Sequence, residues 1–318
     1  MENVFIEAAS NHLNEVKQYM THLEMTDENH KSLLHYAVAG SANDVIRYLL
    51  DLNISVNMVD QYGETPLFDC ARKAKINIAK LLISKYAQVN IENRRQESPI
   101  HLASFKGNLD MIKLLVESGA FLNKETQDGL LPIHYAIAGG QTHAIEYLLK
   151  ISHQSYHLKD SHGQSLLHHA TKTSNIEMIK KLLESGLDVN VLNDVFETPI
   201  FNAVRFSTLE SVKLLLSYDA LLDVKNRRFE TPLDIAKIFN KYDMIDFLSE
   251  YLETPTYQNL VKNQLLTIAV LNRDHIYLRK LVEQQHRLKK DRYNKTALDY
   301  AKTYRLNLCV NILRDLEV

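Results

Sequence analysis

A four-residue pattern returns along this chain every 33 residues, and that regularity limits the fold more than any other feature. It reads Ser32-Leu-Leu-His35, Thr65-Pro-Leu-Phe68, Ser98-Pro-Ile-His101, Leu131-Pro-Ile-His134 and Ser165-Leu-Leu-His168. It continues as Thr198-Pro-Ile-Phe201, Thr231-Pro-Leu-Asp234, Gln264-Leu-Leu-Thr267 and Thr296-Ala-Leu-Asp299, with one step of 34 and one of 32. A second pattern keeps the same register: VIRYLL from Val45, IAKLLI from Ile78, MIKLLV from Met111, and so on to CVNILR from Cys309. Two unlike motifs locked to one period describe a stack of like units, each too small to bury its apolar face alone.

Each part of the pattern has a mechanical reason. A Ser or Thr hydroxyl can accept from an orphan N–H at a helix start, and Pro beside it fills the first helical position without losing a bond. An Ala recurs on the same face (Ala37, Ala103, Ala136, Ala170, Ala203, Ala236, Ala269, Ala301), which lets first helices approach closely. The second pattern predicts a second helix with paired apolar residues facing the stack. Gly119 and Gly186 suit the left-handed residue that ends it. Five residues before each start an Asp or Asn predicts a turn: Asp27, Asp60, Asn93, Asp160, Asn193, Asn226, Asn259 and Asp291, with Thr126 the exception.

The period, the Thr-Pro-Leu-His-like helix start and the runs Gly119-Ala120…Asn123 and Gly186…Asp188-Val189-Asn190 resemble the ankyrin repeat over essentially the whole chain, in about ten units. The resemblance implies an all-α solenoid of helix-turn-helix units joined by β-hairpin-like loops. It places His35, His101, His134 and His168 at a structural position, bonding neighbouring turns. It also implies a non-catalytic adaptor, scaffold or inhibitor that binds a protein along the concave face, lined by loop tips and first-helix exits. Val4 to Met20 fits an N-terminal cap, giving a cap at 1–31, regular units at 32–254 and C-terminal units at 255–318. The stretches 149–163 and 249–263 lack the Gly-Ala turn, and Pro255 interrupts the second. A bend or weak interface is expected there, with residues from about 255 moving as a subunit.

Composition narrows the function classes. A formal net charge of −2 argues against broad attraction to nucleic acid or an anionic membrane. Two distant cysteines, Cys70 and Cys309, form no disulfide framework or metal spacing and read as residents of a reducing compartment. No run approaches the roughly 18 apolar residues of a membrane span, and the N-terminal residues do not read as a signal peptide. A cytoplasmic monomer is expected. Abundant Asn, Lys, Ile and Tyr resemble the ankyrin proteins of intracellular bacteria that act on a protein in the host cytosol. The segment from Leu187 to Asn190 is similar to ankyrin segments whose Asn is hydroxylated in animal cells.

No phosphate loop, nucleophile elbow, His-Glu-x-x-His helix or Cys-x-x-Cys pair is present. No catalytic, cofactor or metal site is expected. The cluster His153, His157 and His162 lacks a supporting Cys or carboxylate pattern and reads as a solvated turn. The C-terminal Leu316-Glu317-Val318 reads as a helix end rather than a sheet-edge ligand.

Partner-binding candidates come from register. They are Tyr62, Arg94, Arg95, Arg227 and Arg228 at loop tips, and Arg72, Lys73, Phe105, Lys106, Arg205, Phe206 and Phe239 at helix exits. Leu260 and Val261 share the tip register, and Ile238 and Tyr304 the exit register. Stacking needs neither Arg nor Phe at these places, and both types dominate interface energies. The excess of basic over acidic residues there implies a partner with an acidic or extended segment. Nucleic acid bound by the basic tips is the alternative.

Overall fold

The computed structural model describes residues 2–19, 24–151, 159–314 and 316. The chain divides into two compact units, Met1–Ser155 and Tyr156–Val318. No strand occurs among the described residues; the loops carry isolated antiparallel bridges at Thr26–Ser32 and Lys159–Ser165.

The first unit holds α1 (Glu2–Ala9), α2 (Leu13–Lys17), α3 (Leu33–Gly40), α4 (Asn43–Asp51) and α5 (Pro66–Lys73). It continues with α6 (Ile76–Ser84), α7 (Pro99–Lys106), α8 (Leu109–Glu117), α9 (Pro132–Ala138) and α10 (Thr142–Ile151). First helices pack on first helices, α1 to α3 to α5 to α7 to α9, and the second helices line up behind them. Ala37, Ala103 and Ala136 are fully buried in these contacts, as their spacing predicts. Pro occupies the first turn of α5, α7 and α9. At the far end of α3, the Lys75 ammonium of the next repeat donates to the Val38 and Ala39 carbonyls (2.5 and 2.6 Å), complementing the negative end of the helix.

The histidines tie repeats together. The backbone N–H of Ser32, Ser98, Leu131 and Ser165 donates to Nδ1 of His35, His101, His134 and His168 at 3.0–3.2 Å. An accepting Nδ1 puts the ring proton on Nε2, which donates to the Glu64 carbonyl from His35 (3.0 Å) and to the Glu197 carbonyl from His168 (2.9 Å). His35 and His168 therefore each cap their own helix and reach the following repeat.

The second unit holds α11 (Leu166–Ala170), α12 (Ile176–Glu184), α13 (Pro199–Phe206), α14 (Leu209–Leu216) and α15 (Pro232–Ile238). It continues with α16 (Tyr242–Leu252), α17 (Pro255–Leu271), α18 (His275–Glu283), α19 (Ala297–Thr303) and α20 (Asn307–Arg314). The stack runs α11 to α13 to α15 and stops. Thr254 caps α17 through its hydroxyl (3.3 Å to the Tyr257 N–H), and Pro255 takes the first helical position. Pro255 thus starts a helix instead of interrupting a loop. Asn259, Leu260 and Val261, expected at a turn and its tip, lie inside α17, which kinks at Gln264 where the repeat pattern resumes.

The helices α17–α20 stack on one another and fold back onto the loops of the two preceding repeats. One apolar core joins Leu266, Val270, Leu278, Leu298 and Leu313 to Leu192, Leu221 and Val224. Tyr257 donates to Asp223 (2.7 Å) and accepts the Leu222 N–H (2.6 Å). Asn272 accepts the Lys225 N–H (2.7 Å), Tyr304 accepts the Leu192 N–H (2.7 Å), and Lys295 pairs with Asp188 (2.9 Å). Tyr304, expected at an exposed helix exit, is turned into this contact.

Candidate protein-binding surface

The loops are built alike, and their construction places the tip side chains. In each, the recurring Asp or Asn accepts two backbone N–H groups across the turn; Asp60 takes those of Tyr62 (2.8 Å) and Glu64 (3.0 Å), and Asn226 those of Arg228 (2.9 Å) and Glu230 (3.1 Å). The Thr126 hydroxyl at this register accepts the Leu130 N–H at 3.2 Å. Tips are then tied to one another: Arg94 N–H donates to the Tyr62 carbonyl (2.8 Å), Gln127 to Arg95 (3.1 Å), and Arg227 to Val195 (3.0 Å). Side chains at the tips therefore stand in a fixed row within each unit.

In the first unit this row brings together Tyr62, Arg94 and Arg95, with Phe105 and Lys106 at the exit of α7. Arg94 has no carboxylate within salt-bridge distance among the described residues, and Arg95 reaches Glu97 only at 3.6 Å. The Lys106 ammonium lies over the Phe105 ring at 5.7 Å. Arg72 and Lys73 are engaged: Arg72 donates to both oxygens of Glu64 (2.7 and 2.8 Å), and Lys73 pairs with Asp69 (3.2 Å).

In the second unit Arg205 is likewise held by Glu197 (2.7 and 3.1 Å), with Phe206 and Phe239 flanking its guanidinium at 5.7 and 5.9 Å. Arg227 lies 5.1 Å from the Phe196 ring, and neither it nor Arg228 has a carboxylate partner among the described residues. Phe206 is 54% exposed and Phe239 48%. Beside them opens a cleft of about 470 Å³ whose walls include Val195, the Arg205–Glu197 pair, Arg227, Arg228, Glu230, Ile238 and Phe239. Register reasoning missed Phe229, which is 77% exposed. The signal was its place, since Gly63, Gly129 and Gly163 hold the same tip register with a positive φ.

The buried titratable groups serve the frame. Burial pushes the His168 ring down to about 3 and lowers His35 and His101. Burial also pushes the Cys70 thiol up to about 12 and raises Cys309, which favours the protonated thiol at both, and neither is in a disulfide. Of the histidine cluster, His153 and His157 lie outside the described residues, as do Glu317 and Val318. His162 sits at a tip, its backbone N–H bonded to Asp160 (2.9 Å). Asn190 is buried and bridges repeats, donating to the Asp219 carbonyl (3.0 Å) and accepting the Leu221 N–H (2.9 Å).

A family model described as ankyrin repeats (3 copies) matches residues 5–93 and 100–193. The chain belongs to the ankyrin repeat family. The human ASB11 ankyrin repeat domain, in its crystal structure, is similar at a TM-score of 0.58 and 26% identity, over 73% of this chain and 97% of that one. The ankyrin repeat-containing protein P1E11.10 of Schizosaccharomyces pombe is 40% identical over 60 residues, 19% of this chain and 28% of that protein. The chain thus spans little more than a quarter of that relative. Ankyrin repeats mediate protein–protein interaction and are typically non-catalytic. No described helix is long and apolar enough to cross a membrane.

Proposed function

We propose that this ankyrin chain is a non-catalytic adaptor, scaffold or inhibitor that holds an acidic or extended segment of a partner protein along the tips and first-helix exits. One observation carries this reading: large aromatics stand exposed at helix exits beside the tip guanidiniums of Arg94, Arg227 and Arg228, which have no carboxylate partner among the described residues. Burying an exposed Phe and pairing an unpaired Arg are the contacts that yield most at an interface, roughly 2 kcal/mol or more each. Arg72, Lys73 and Arg205 act mainly by shaping the surface, because their charges are already matched. The contributors are Tyr62, Arg94, Arg95, Phe105, Lys106, Phe206, Arg227, Arg228 and Phe239.

The test is affinity capture with the wild type and with a variant carrying Ala at Arg94, Arg95, Phe206, Arg227 and Arg228, at two salt concentrations. A protein held by the wild type and lost by the folded variant supports the assignment. Equal capture by both removes it. Nucleic acid in place of protein, with binding that falls steeply as salt rises, would favour the alternative reading of the basic tips.

A further inference from the structure

Arg205, Arg227 and Arg228 line the cleft beside α15, yet its Glu230 carboxylate lacks the cation that the same register supplies elsewhere. Glu64 and Glu197, each just before a helix start, bind Arg72 and Arg205 eight residues on. In the repeat after Glu64, Phe105 stands where the arginine would be, and Glu97 is served by the Tyr135 hydroxyl of the next repeat (2.5 Å) and by Arg95 (3.6 Å). Glu230 has neither solution. Ile238 occupies the arginine's place, and the next repeat is folded away from α15, so no successor offers a donor. Glu230 keeps the Asn226 amide (2.9 Å) and has no cation within salt-bridge distance among the described residues.

A second observation points to the same chemistry. Phe196 and Phe229 share the tip position, with left-handed φ of 63° and 62°. A bulky residue there is strained, and strain held in place calls for a compensating contact. Phe196 has one: the Arg273 guanidinium lies 3.7 Å from its ring centre. Phe229 is solvent-exposed and makes no ring contact among the described residues. A carboxylate short of a fork-shaped donor and an aromatic face short of a cation are both satisfied by arginine.

We propose that this cleft seats an arginine-bearing segment of the partner protein. One guanidinium pairs with Glu230 as Arg205 pairs with Glu197, its stem lies on Ile238 and Phe239, and Phe229 offers its face to a neighbouring cation. Arg227 and Arg228 meet acidic residues of the same segment, so the segment is of mixed charge. This inference rests on the partner surface proposed above and names the chemistry at its C-terminal end.

The probe is a library of random twelve-residue peptides selected against the whole chain. Arginine should be enriched among the selected peptides, and a synthetic consensus peptide should bind at least tenfold more weakly to Glu230→Gln. It should lose at least as much with Ile238→Arg, which fills the slot from within and should leave the melting temperature unchanged or higher. Absence of arginine enrichment, absence of any selected peptide, or undiminished binding by both variants overturns the inference. Peptides without arginine that are lost on Arg227→Ala/Arg228→Ala would leave the wider surface standing while removing this site. Peptides that bind the five-residue alanine variant unchanged would remove both. Self-association abolished by Ile238→Arg would assign the cleft to a second copy of the chain and overturn the partner reading.

Discussion

At the residue scale, Phe196 and Phe229 show one backbone demand met in two ways. Both hold the left-handed conformation that Gly63, Gly129 and Gly163 adopt freely at the same turn. Phe196 repays its strain by packing against the C-terminal core and accepting Arg273 on its face. Phe229 has no such return inside the chain. Phe229→Gly is therefore expected to stabilise the folded protein by about 1 kcal/mol, the strain relieved exceeding the added freedom of the unfolded chain. Phe196→Gly is expected to destabilise by about 2 kcal/mol through lost packing. Denaturant midpoints of the two variants check this; equal signs would mean that Phe229 has an internal role.

At the element scale, α17 redirects the chain. A loop in its place would carry the next repeat onto α15. The helix begun by Thr254 and Pro255 sends the last two repeats back across the loops at 188–196 and 219–226. Those loops are adapted to receive them. Leu192 is buried, whereas Val59 and Glu125 at its register are exposed; Leu221 is buried, whereas Ser55 and Gln88 are exposed. Tyr257 fastens the start of α17 by serving both Asp223 and the Leu222 N–H. Tyr257→Phe leaves that buried N–H without a partner and is expected to cost roughly 1–3 kcal/mol. The loss should appear as faster amide exchange through α17 to α20 and not in α3 to α9. Uniform acceleration would show that these helices do not open as a unit.

At the scale of the whole molecule, the capping histidines link stability to pH. His35, His101 and His168 are held neutral by burial, with proton affinities below the ordinary histidine value, whereas in the unfolded chain they titrate near ~6.5. The unfolded state therefore binds protons first as pH falls. Their contribution is fully present above ~6.5 and is lost below it, by up to about 1.4 kcal/mol per pH unit for each ring, until the folded value is reached, about 3 for His168. Unfolding free energy should fall between pH 6.5 and 5, a window above the unfolded carboxylate values. His168→Phe, matching Phe68 and Phe201 in register, should lower stability at pH 7 and make that slope shallower. An unchanged slope would exclude His168 as a source.

The sequence by itself determined the repeating unit: helix starts, the buried Ala stripe, and the Asx turns and tips outside α17, because these depend on contacts within one repeat or with an identical neighbour. Asp234 and Asp299 stand at the bridging-His register, where an ionised carboxylate accepts the Thr231 and Thr296 N–H groups, at 2.9 and 2.8 Å. Only the tertiary structure decided where the last repeats went. Period alone cannot tell a neighbour stacked in sequence from one folded back, since both bury the same apolar face. Which guanidiniums are free was decided there too: Arg205 and Arg228 each lie near a glutamate that precedes a helix start, and only their distances to Glu197 and Glu230 separate a residue that shapes the surface from one left to bind.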